Sequence, residues 1–557
     1  MKRNMPVGVS DFKEATERYY LVDKTSFIQQ FIDKHQKVTL FTRPRRFGKT
    51  LTLSMLDYFF SIDKKEDSKH IFDGLDIAKA GEAYMQYQGK YPVIFLTLKN
   101  VQSDSWDDLY GLFTFFVQQE YLNHDYILQS DVLSTMEKGY YERIAAGTAK
   151  PFEYKVSLLQ LSKYLERYFE QKPIILIDEY DVPLQSAYEH GFYDRAIDFF
   201  RGWFNATLKD NSSLNFAVLT GVLRIAKESI FSGLNNLDVY SVLANDYGDV
   251  FGFTAEDIQK ITTDYDCKDK ISEIKEWYDG YTFGHTDIYN PWSVTNYISR
   301  KCVPDTYWAN TSNNAILRDL LHQADTARIQ SLQALMDGKT VRTSIDEGVI
   351  YSDIGQNDAS LLSMMLNTGY LKAICKDATI NALAMYDVKI PNKEVKQVYK
   401  REILSSLAQG LNINSLLNFS WALVEGDTES AYLYLQNILL KMVSFYDTRP
   451  KESFYHGLIL GMTCLLESPV YHIESNRESG YGRFDLAVFP LQAGKAGVIM
   501  EFKVADSEQQ LETKAQEALQ QIAHKAYMTE LQKRNVQHIW KYGIAFYGKH
   551  VKIVQSV

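Results

Sequence analysis

One stretch constrains the fold more than any other: Thr42-Arg43-Pro44-Arg45-Arg46-Phe47-Gly48-Lys49-Thr50. It follows a β-type run from Val38 to Phe41 and opens an amphipathic segment that reaches Phe60. A strand that turns through a basic, glycine-containing loop into a helix brings backbone N–H groups round to face an anion. Gly48, Lys49 and Thr50, preceded by Arg46 and Phe47, supply the closing Gly-Lys-Ser/Thr of a phosphate loop. In that pattern the lysine meets the β- and γ-phosphates and the hydroxyl meets Mg²⁺. A helix starting at about Lys49 adds the positive end of its dipole. The place usually held by the first glycine is taken by Arg43.

A second stretch answers the first. Pro173-Ile174-Ile175-Leu176-Ile177-Asp178-Glu179 is an apolar strand ending in two carboxylates. At that point of a P-loop ATPase the first acid, here Asp178, helps hold Mg²⁺ and the second, Glu179, polarises the attacking water. Further apolar runs at Tyr91–Leu98 and Leu214–Leu219 also read as strands, with helical patterns at Ser157–Phe169 and Tyr193–Leu208 between them. Strands alternating with helices predict an α/β fold, a parallel sheet covered on both faces. Thr220, at the end of the fourth strand, stands where a polar side chain reaches a γ-phosphate or its water, and Arg224 is a candidate cation for the same charge. Asp23 and Lys24 are weaker candidates for the nucleotide's surroundings.

The runs LFTRPRRFGKTLTLSMLDYFF, ILIDEYDVPL and LTGVLRIAKESIFSGLNNL resemble the bacterial AAA-ATPase-like family. The resemblance implies a nucleotide-binding role for Gly48, Lys49, Thr50, Asp178 and Glu179, with ATP and Mg²⁺ as ligands. It also implies an additional strand between the phosphate-loop strand and the acidic strand, and it makes an arginine at position 43 ordinary. It extends through WYDGYTF, IYNPWSV and YWANTS, so the region that follows is expected to complete the module as a lid.

From about Thr254 to Phe445 the pattern becomes mostly helical, with Trp277, Tyr278, Tyr281, Trp292 and Trp308 expected to be packing aromatics. The last hundred or so residues return to mixed structure. A helix at Ser453–Leu466 precedes three strands at Val470–Glu474, Arg483–Phe489 and Gly497–Val504; a helix at Ser507–Leu531 and a strand at Gly543–Tyr547 follow. Glu501 and Lys503 project to one face of their strand, because strand side chains alternate. If that strand forms a hairpin with its predecessor, Asp485 comes near Glu501. Two carboxylates bind Mg²⁺ or Mn²⁺, and a lysine beside them orients or helps deprotonate a water for attack on a phosphodiester.

The residues FYHG at 454–457, Ser475–Gly480, Gly482-Arg483-Phe484-Asp485 and Glu501-Phe502-Lys503 closely resemble a C-terminal domain of the PD-(D/E)XK nuclease superfamily. That resemblance implies a restriction-endonuclease-like fold, Asp485 and Glu501 as metal ligands, Lys503 as catalytic partner and Gln521 as a further polar contact. His456 and Glu474 are alternative completions of the metal shell. A folded but inactive nuclease domain would keep the same residues.

The expected division is 1–285 for the P-loop domain, 286–450 for a helical lid and connector, and 451–557 for the nuclease-like domain. A chain of 557 residues exceeds a single core. The net charge of −10 argues against a general nucleic-acid coat protein, yet permits a local basic groove. Cys267, Cys302, Cys375 and Cys464 form no CxxC pair, which suits a reducing compartment. The N-terminus has no apolar core of a signal peptide, and no stretch approaches a membrane span. The expectation is a cytoplasmic ATPase that controls metal-dependent cleavage of DNA. The alternative is a nucleotide-switched interaction protein whose nuclease-like domain binds nucleic acid without cutting. ATP-dependent oligomerisation, as in ring-forming relatives, is a further expectation, though the sequence offers no clear arginine finger for it.

Overall fold

The computed structural model describes residues 2–209, 211–224, 237–308, 331–332, 334–336, 338–349, 358–380, 383–407, 413–442, 452–463, 466, 470–475, 478–479, 482–483, 485–524, 531 and 536–556. The chain forms two compact units, one of Met1–Ser312 with Arg342–Val395 and one of Asn313–Val341 with Lys396–Val557. Residues expected to form the lid and connector are thus shared between them.

The first unit is built on a parallel sheet of five strands: β1 (Val38–Thr42), β2 (Val93–Thr97), β3 (Ile174–Asp178), β4 (Ala217–Gly221) and β5 (Leu237–Tyr240). Their order is β2-β3-β4-β1-β5. Every residue of β1, β3 and β4 is buried, which is why these strands read as unbroken apolar runs. β4 lies between β1 and β3, the additional strand implied by the family resemblance. β5 escaped the sequence reading because it is a four-residue edge strand with only partial burial. The helix Lys49–Phe60 follows β1 through the loop and is buried on nearly every side. Ser157–Phe169 and Tyr193–Phe204 form the expected helices, the second continuing as a π-helical turn over Asn205–Lys209.

The middle region is helical as expected, with helices at Ala255–Asp264, Ile271–Tyr278, Pro291–Ser299 and Asp358–Thr368. It also carries small antiparallel sheets that the helical periodicity hid. One pairs β6 (Tyr281–Phe283) with β7 (Thr286–Ile288). The other joins β8 (Val341–Ser344), β9 (Lys372–Ile380) and β10 (Leu383–Lys389) in the order β8-β10-β9.

In the second unit the helices Ile413–Glu425, Thr428–Met442 and Glu452–Thr463 precede a mixed sheet. Its strands are β11 (Tyr471–Ser475), β14 (Leu486–Pro490), β15 (Gly497–Val504), β16 (Ile539–Tyr547) and β17 (His550–Ser556), in that spatial order. β12 (Glu478–Ser479) and β13 (Gly482–Arg483) form a separate short pair. The order of helix, three strands, helix and strand is the expected one, with β17 added as an antiparallel edge beyond β16. Leu486, Val488, Met500, Phe502, Ile544 and Phe546 point to one face, where Leu423, Leu435 and Ile459 of the preceding helices meet them. Ala487, Ile499 and Ile539 point to the other and are covered by Ile522 of the helix Leu511–His524. That helix lies close against the sheet at Gly543. A methyl group added at Gly543 would stand 2.1 Å from the Ala515 carbonyl oxygen and 2.6 Å from the Leu519 nitrogen.

Candidate functional site

At the end of β1 the chain turns through two left-handed residues, Arg46 at φ 71° and Gly48 at φ 85°. Alternation of this kind curls successive N–H groups into a concavity suited to an anion. Phe47 anchors the turn from inside, its buried ring 4.9 Å from Tyr281 and 5.3 Å from Phe283. Arg46 lays its guanidinium over Trp292 at 4.1 Å, and Arg45 donates to Gln185 Oε1 at 2.8 Å. Arg43 keeps an ordinary φ, so its position makes no demand for glycine. Fully buried, it donates to the carbonyls of Thr42, Tyr240 (2.7 Å) and Tyr247 (3.3 Å). Burial lowers its pKa to about 9. Arg43 is therefore a strut tying the loop's base to β5 and the segment after it.

The expected polar residues converge at the ends of the central strands. Thr50 donates to Asp178 Oδ2 at 2.7 Å, and Thr220 donates to Asp178 Oδ1 at 2.6 Å. Asp178 is fully buried, and its carboxyl is pushed above the usual range by burial and by Glu179; Thr220, Thr50 and Lys49 oppose the shift. Lys49, almost wholly buried, reaches the carbonyls of Arg43 (3.2 Å) and Pro44 (3.3 Å) and stands 3.4 Å from Glu179 Oε1. Glu179 has a left-handed backbone at φ 52°, a strained conformation for a residue with a side chain. Arg224 is half-buried three residues beyond β4; residues 225–236, which follow it in the matched run, lie outside the described residues. Asp23 and Lys24 have other duties. Asp23 accepts from the N–H groups of Thr25 and Asp76, and Lys24 pairs with Asp257 at 2.6 Å.

Sequence reasoning missed the two residues after Glu179. Asp181 accepts from the N–H groups of Val222 (2.8 Å) and Leu223 (2.9 Å), and Tyr180 donates its hydroxyl to the Leu223 carbonyl at 2.5 Å. Together they hold the turn that leaves β4. Burial and the nearby Glu179 push the Asp181 carboxyl up to about 6 against the two backbone donors and Lys49. The available signal was an acid set among apolar residues in Tyr180-Asp181-Val182-Pro183-Leu184. Gly221 lets this grip close, because a Cβ there would lie 2.6 Å from the Tyr180 ring.

The C-terminal constellation follows from register. β14 and β15 are antiparallel, with Leu486 opposite Met500 and Ala487 opposite Ile499. One step further sets Asp485 opposite Glu501, and residues paired across a ladder share a face. The Phe502 N–H donates to Asp485 Oδ2 at 2.8 Å. Glu501 is buried and accepts at Oε1 from Gln521 Nε2, on the covering helix. Lys503, two residues along, is half-buried on the same face. Glu474 lies opposite Ala487 and so shares this face as well. The His456 ring packs edge-on against Phe502 at 5.5 Å, and Phe502 points to the opposite face of the sheet. Asn476, Arg477, Gly480 and Phe484 of the matched residues lie outside the described residues.

Each arrangement suits a hard divalent ion. Thr50 Oγ1 with Asp178 oxygen, and Asp485 with Glu501, are all-oxygen donor sets of the kind Mg²⁺ takes with one or two carboxylates and several waters. A lysine stands by each set.

A parallel α/β sheet with a Gly-Lys-Thr loop and a strand-end acid pair defines a P-loop-type domain. A mixed sheet with facing Asp and Glu-x-Lys strands defines a PD-(D/E)XK-type domain. Comparison with known proteins agrees. Residues 6–231 match the family described as predicted AAA-ATPase, and residues 450–556 match the PD-(D/E)XK nuclease superfamily. The chain thus joins an AAA-ATPase-like domain to a PD-(D/E)XK nuclease superfamily domain. It is also 26% identical over 551 residues to an "Uncharacterized protein in vnfD 5'region" of Azotobacter chroococcum mcd 1, an alignment covering 96% of this chain and 94% of that protein. No helix among the described residues is long and apolar enough to cross a membrane.

Proposed function

We propose that the protein is a cytoplasmic ATPase whose nucleotide state controls a Mg²⁺- or Mn²⁺-dependent DNA nuclease. The observation that carries the reading is the shared face of Asp485, Glu501 and Lys503, with Gln521 bonded to Glu501. The Thr50–Asp178–Thr220 cluster beside Lys49 and Glu179 supports the nucleotide half. In this reading residues 1–285 form the nucleotide module, 286–450 a lid and connector, and 451–557 the nuclease-like domain.

Lys49 neutralises the β- and γ-phosphates against the N–H groups of Arg46, Phe47 and Gly48. Thr50 and Asp178 hold the metal ion, which supplies charge neutralisation to the phosphates. Glu179 aligns the attacking water, while Thr220 and Arg224 face the developing charge. In the second site Asp485 and Glu501 hold a metal ion that supplies Lewis acidity. Lys503 takes or steadies the proton of the attacking water, and Gln521 fixes the Glu501 carboxylate.

The test is incubation of the purified protein with linear, circular and single-stranded DNA and Mg²⁺ or Mn²⁺, with and without ATP, beside Asp485→Ala and Lys49→Ala. The expected outcome is cleavage lost in Asp485→Ala, and nucleotide binding together with ATP dependence lost in Lys49→Ala. Cleavage that survives Asp485→Ala would refute the nuclease assignment. ATP bound at wild-type strength by Lys49→Ala would refute the nucleotide site. No cleavage under any condition, with ATP bound, would favour the nucleotide-switched interaction protein.

A further inference from the structure

The phosphate loop is held from outside its own motif by residues far along the chain. Trp308, buried in the first unit, donates its indole Nε1–H to the Arg45 carbonyl at 3.1 Å. That carbonyl belongs to the same planar trans peptide as the Arg46 N–H, and in such a unit the two groups point in opposite directions. A hydrogen bond on the oxygen therefore fixes the aim of the N–H, and polarises it as well. Beside this contact Gly369, at φ 91°, lies against Pro44, so close that a Cβ would stand 2.9 Å from the proline Cβ. Tyr370 packs edge-on to Trp308 at 5.1 Å.

Trp308 is held in turn. Its backbone N–H donates to Glu394 Oε1 at 2.6 Å, and Ser293 donates its hydroxyl to Glu394 Oε2 at 2.7 Å. Glu394 is wholly buried in the first turn of the helix Lys393–Leu407, where Asn392 Oδ1 accepts from the Val395 N–H at 3.0 Å. Beyond Glu394 the helix runs on without a break to Leu407. A helix is a stiff element that carries a displacement of one end along its axis.

We propose that Trp308 and Glu394 are positioning residues that aim the Arg45–Arg46 peptide of the phosphate loop and pass its nucleotide state to the helix Lys393–Leu407. The inference rests on the nucleotide-binding reading above, but needs no nuclease activity. Phosphate bound at the Arg46 N–H strengthens the bond on the Arg45 carbonyl, and the indole, Glu394 and the helix's first turn tighten with it.

The experiment measures binding of a Mg²⁺–ATP analogue that resists hydrolysis, and hydrogen exchange of the amides of residues 397–407 with and without it. Full-length wild type, Trp308→Phe, Glu394→Gln and Trp106→Phe are compared. Wild type is expected to bind and to slow exchange in the helix. Trp308→Phe keeps the ring but loses the N–H, so affinity falls about three- to tenfold, the worth of one hydrogen bond. Even at saturation it leaves the helix unprotected. Glu394→Gln keeps affinity within about twofold and leaves exchange of the unliganded helix at the wild-type rate, yet abolishes the protection that the analogue brings, a combination that a merely structural role would not produce. Trp106→Phe changes neither. Full protection in saturated Trp308→Phe or Glu394→Gln, or wild-type affinity in Trp308→Phe, overturns the proposal while the nucleotide site stands. A wild type that binds no analogue overturns the nucleotide reading itself, and the proposal with it.

Discussion

Replacing Gly543 by alanine tests the nuclease-like face without touching any of its polar residues. Gly543 lies on β16 directly beside Glu501 of β15. Its φ is not left-handed, so alanine meets no backbone strain and the whole effect is steric. The new methyl would lie 2.1 Å from the Ala515 oxygen and 2.6 Å from the Leu519 nitrogen, both backbone atoms of the covering helix. No side-chain rotation relieves such contacts. The helix must rise by roughly an ångström or more to restore ordinary van der Waals separation. Overpacking of this kind costs about 1–3 kcal/mol, which lowers the midpoint of a domain of this size by about 2–4 °C per kcal/mol. Because Gln521 rides on the same helix, its bond to Glu501 is lost as well. The assay pairs calorimetric unfolding with Mn²⁺-dependent cleavage, or Mn²⁺ binding, and uses nucleotide affinity as an internal control. The expected result is a lower C-terminal transition, weaker metal response and unchanged nucleotide binding. An unaltered transition with an unaltered metal response would refute the packing and the role given to Gln521.

Thr220→Val removes one of two hydroxyl donors to a buried carboxylate, an exchange that costs about 1–3 kcal/mol. It is expected to raise the Mg²⁺ concentration needed for nucleotide binding roughly tenfold, and an unchanged Mg²⁺ titration would remove Thr220 from the site. The Glu394 carboxyl is pushed up to about 8 from its ordinary 4.5 by burial, against donors from Trp308 and Ser293. Between those values the folded chain keeps a proton that the unfolded chain releases, so stability falls as pH rises through the window, by at most about 1.4 kcal/mol per pH unit. Glu394→Gln abolishes this contribution. The melting difference between wild type and Glu394→Gln, followed by calorimetry from pH 5.5 to 7.5, should move against the wild type as pH rises, and a constant difference would contradict the shift.

Much of both candidate sites was legible because its signals are local or periodic. Gly48-Lys49-Thr50 between strand and helix needs only neighbours in sequence, and the apolar run into Asp178-Glu179 needs only burial on both faces. The period-two spacing put Glu501 and Lys503 on one face, and the hairpin that brings Asp485 opposite followed from antiparallel pairing. Elements without such signals were missed. β5 is too short and too exposed to show as an apolar run, and β9 and β10 lie among helical patterns.

Other features depend on residues that meet only once the chain is folded. Arg43 stands in a motif position, yet its role as a strut comes from the carbonyls of Tyr240 and Tyr247 across the sheet. Asp181 and Tyr180 gain their function from the turn after β4, and Trp308 gains its hold on Arg45 from 263 residues away. His456 and Glu474 were equivalent by spacing until the strand register put them on opposite faces of one sheet. A sequence displays the chemistry of each residue and the period of each element, and these determined the two domains and their polar residues. Which residues from distant elements share a face, a hydrogen bond or a close helix crossing is set by strand order and register, and the tertiary structure alone decided it.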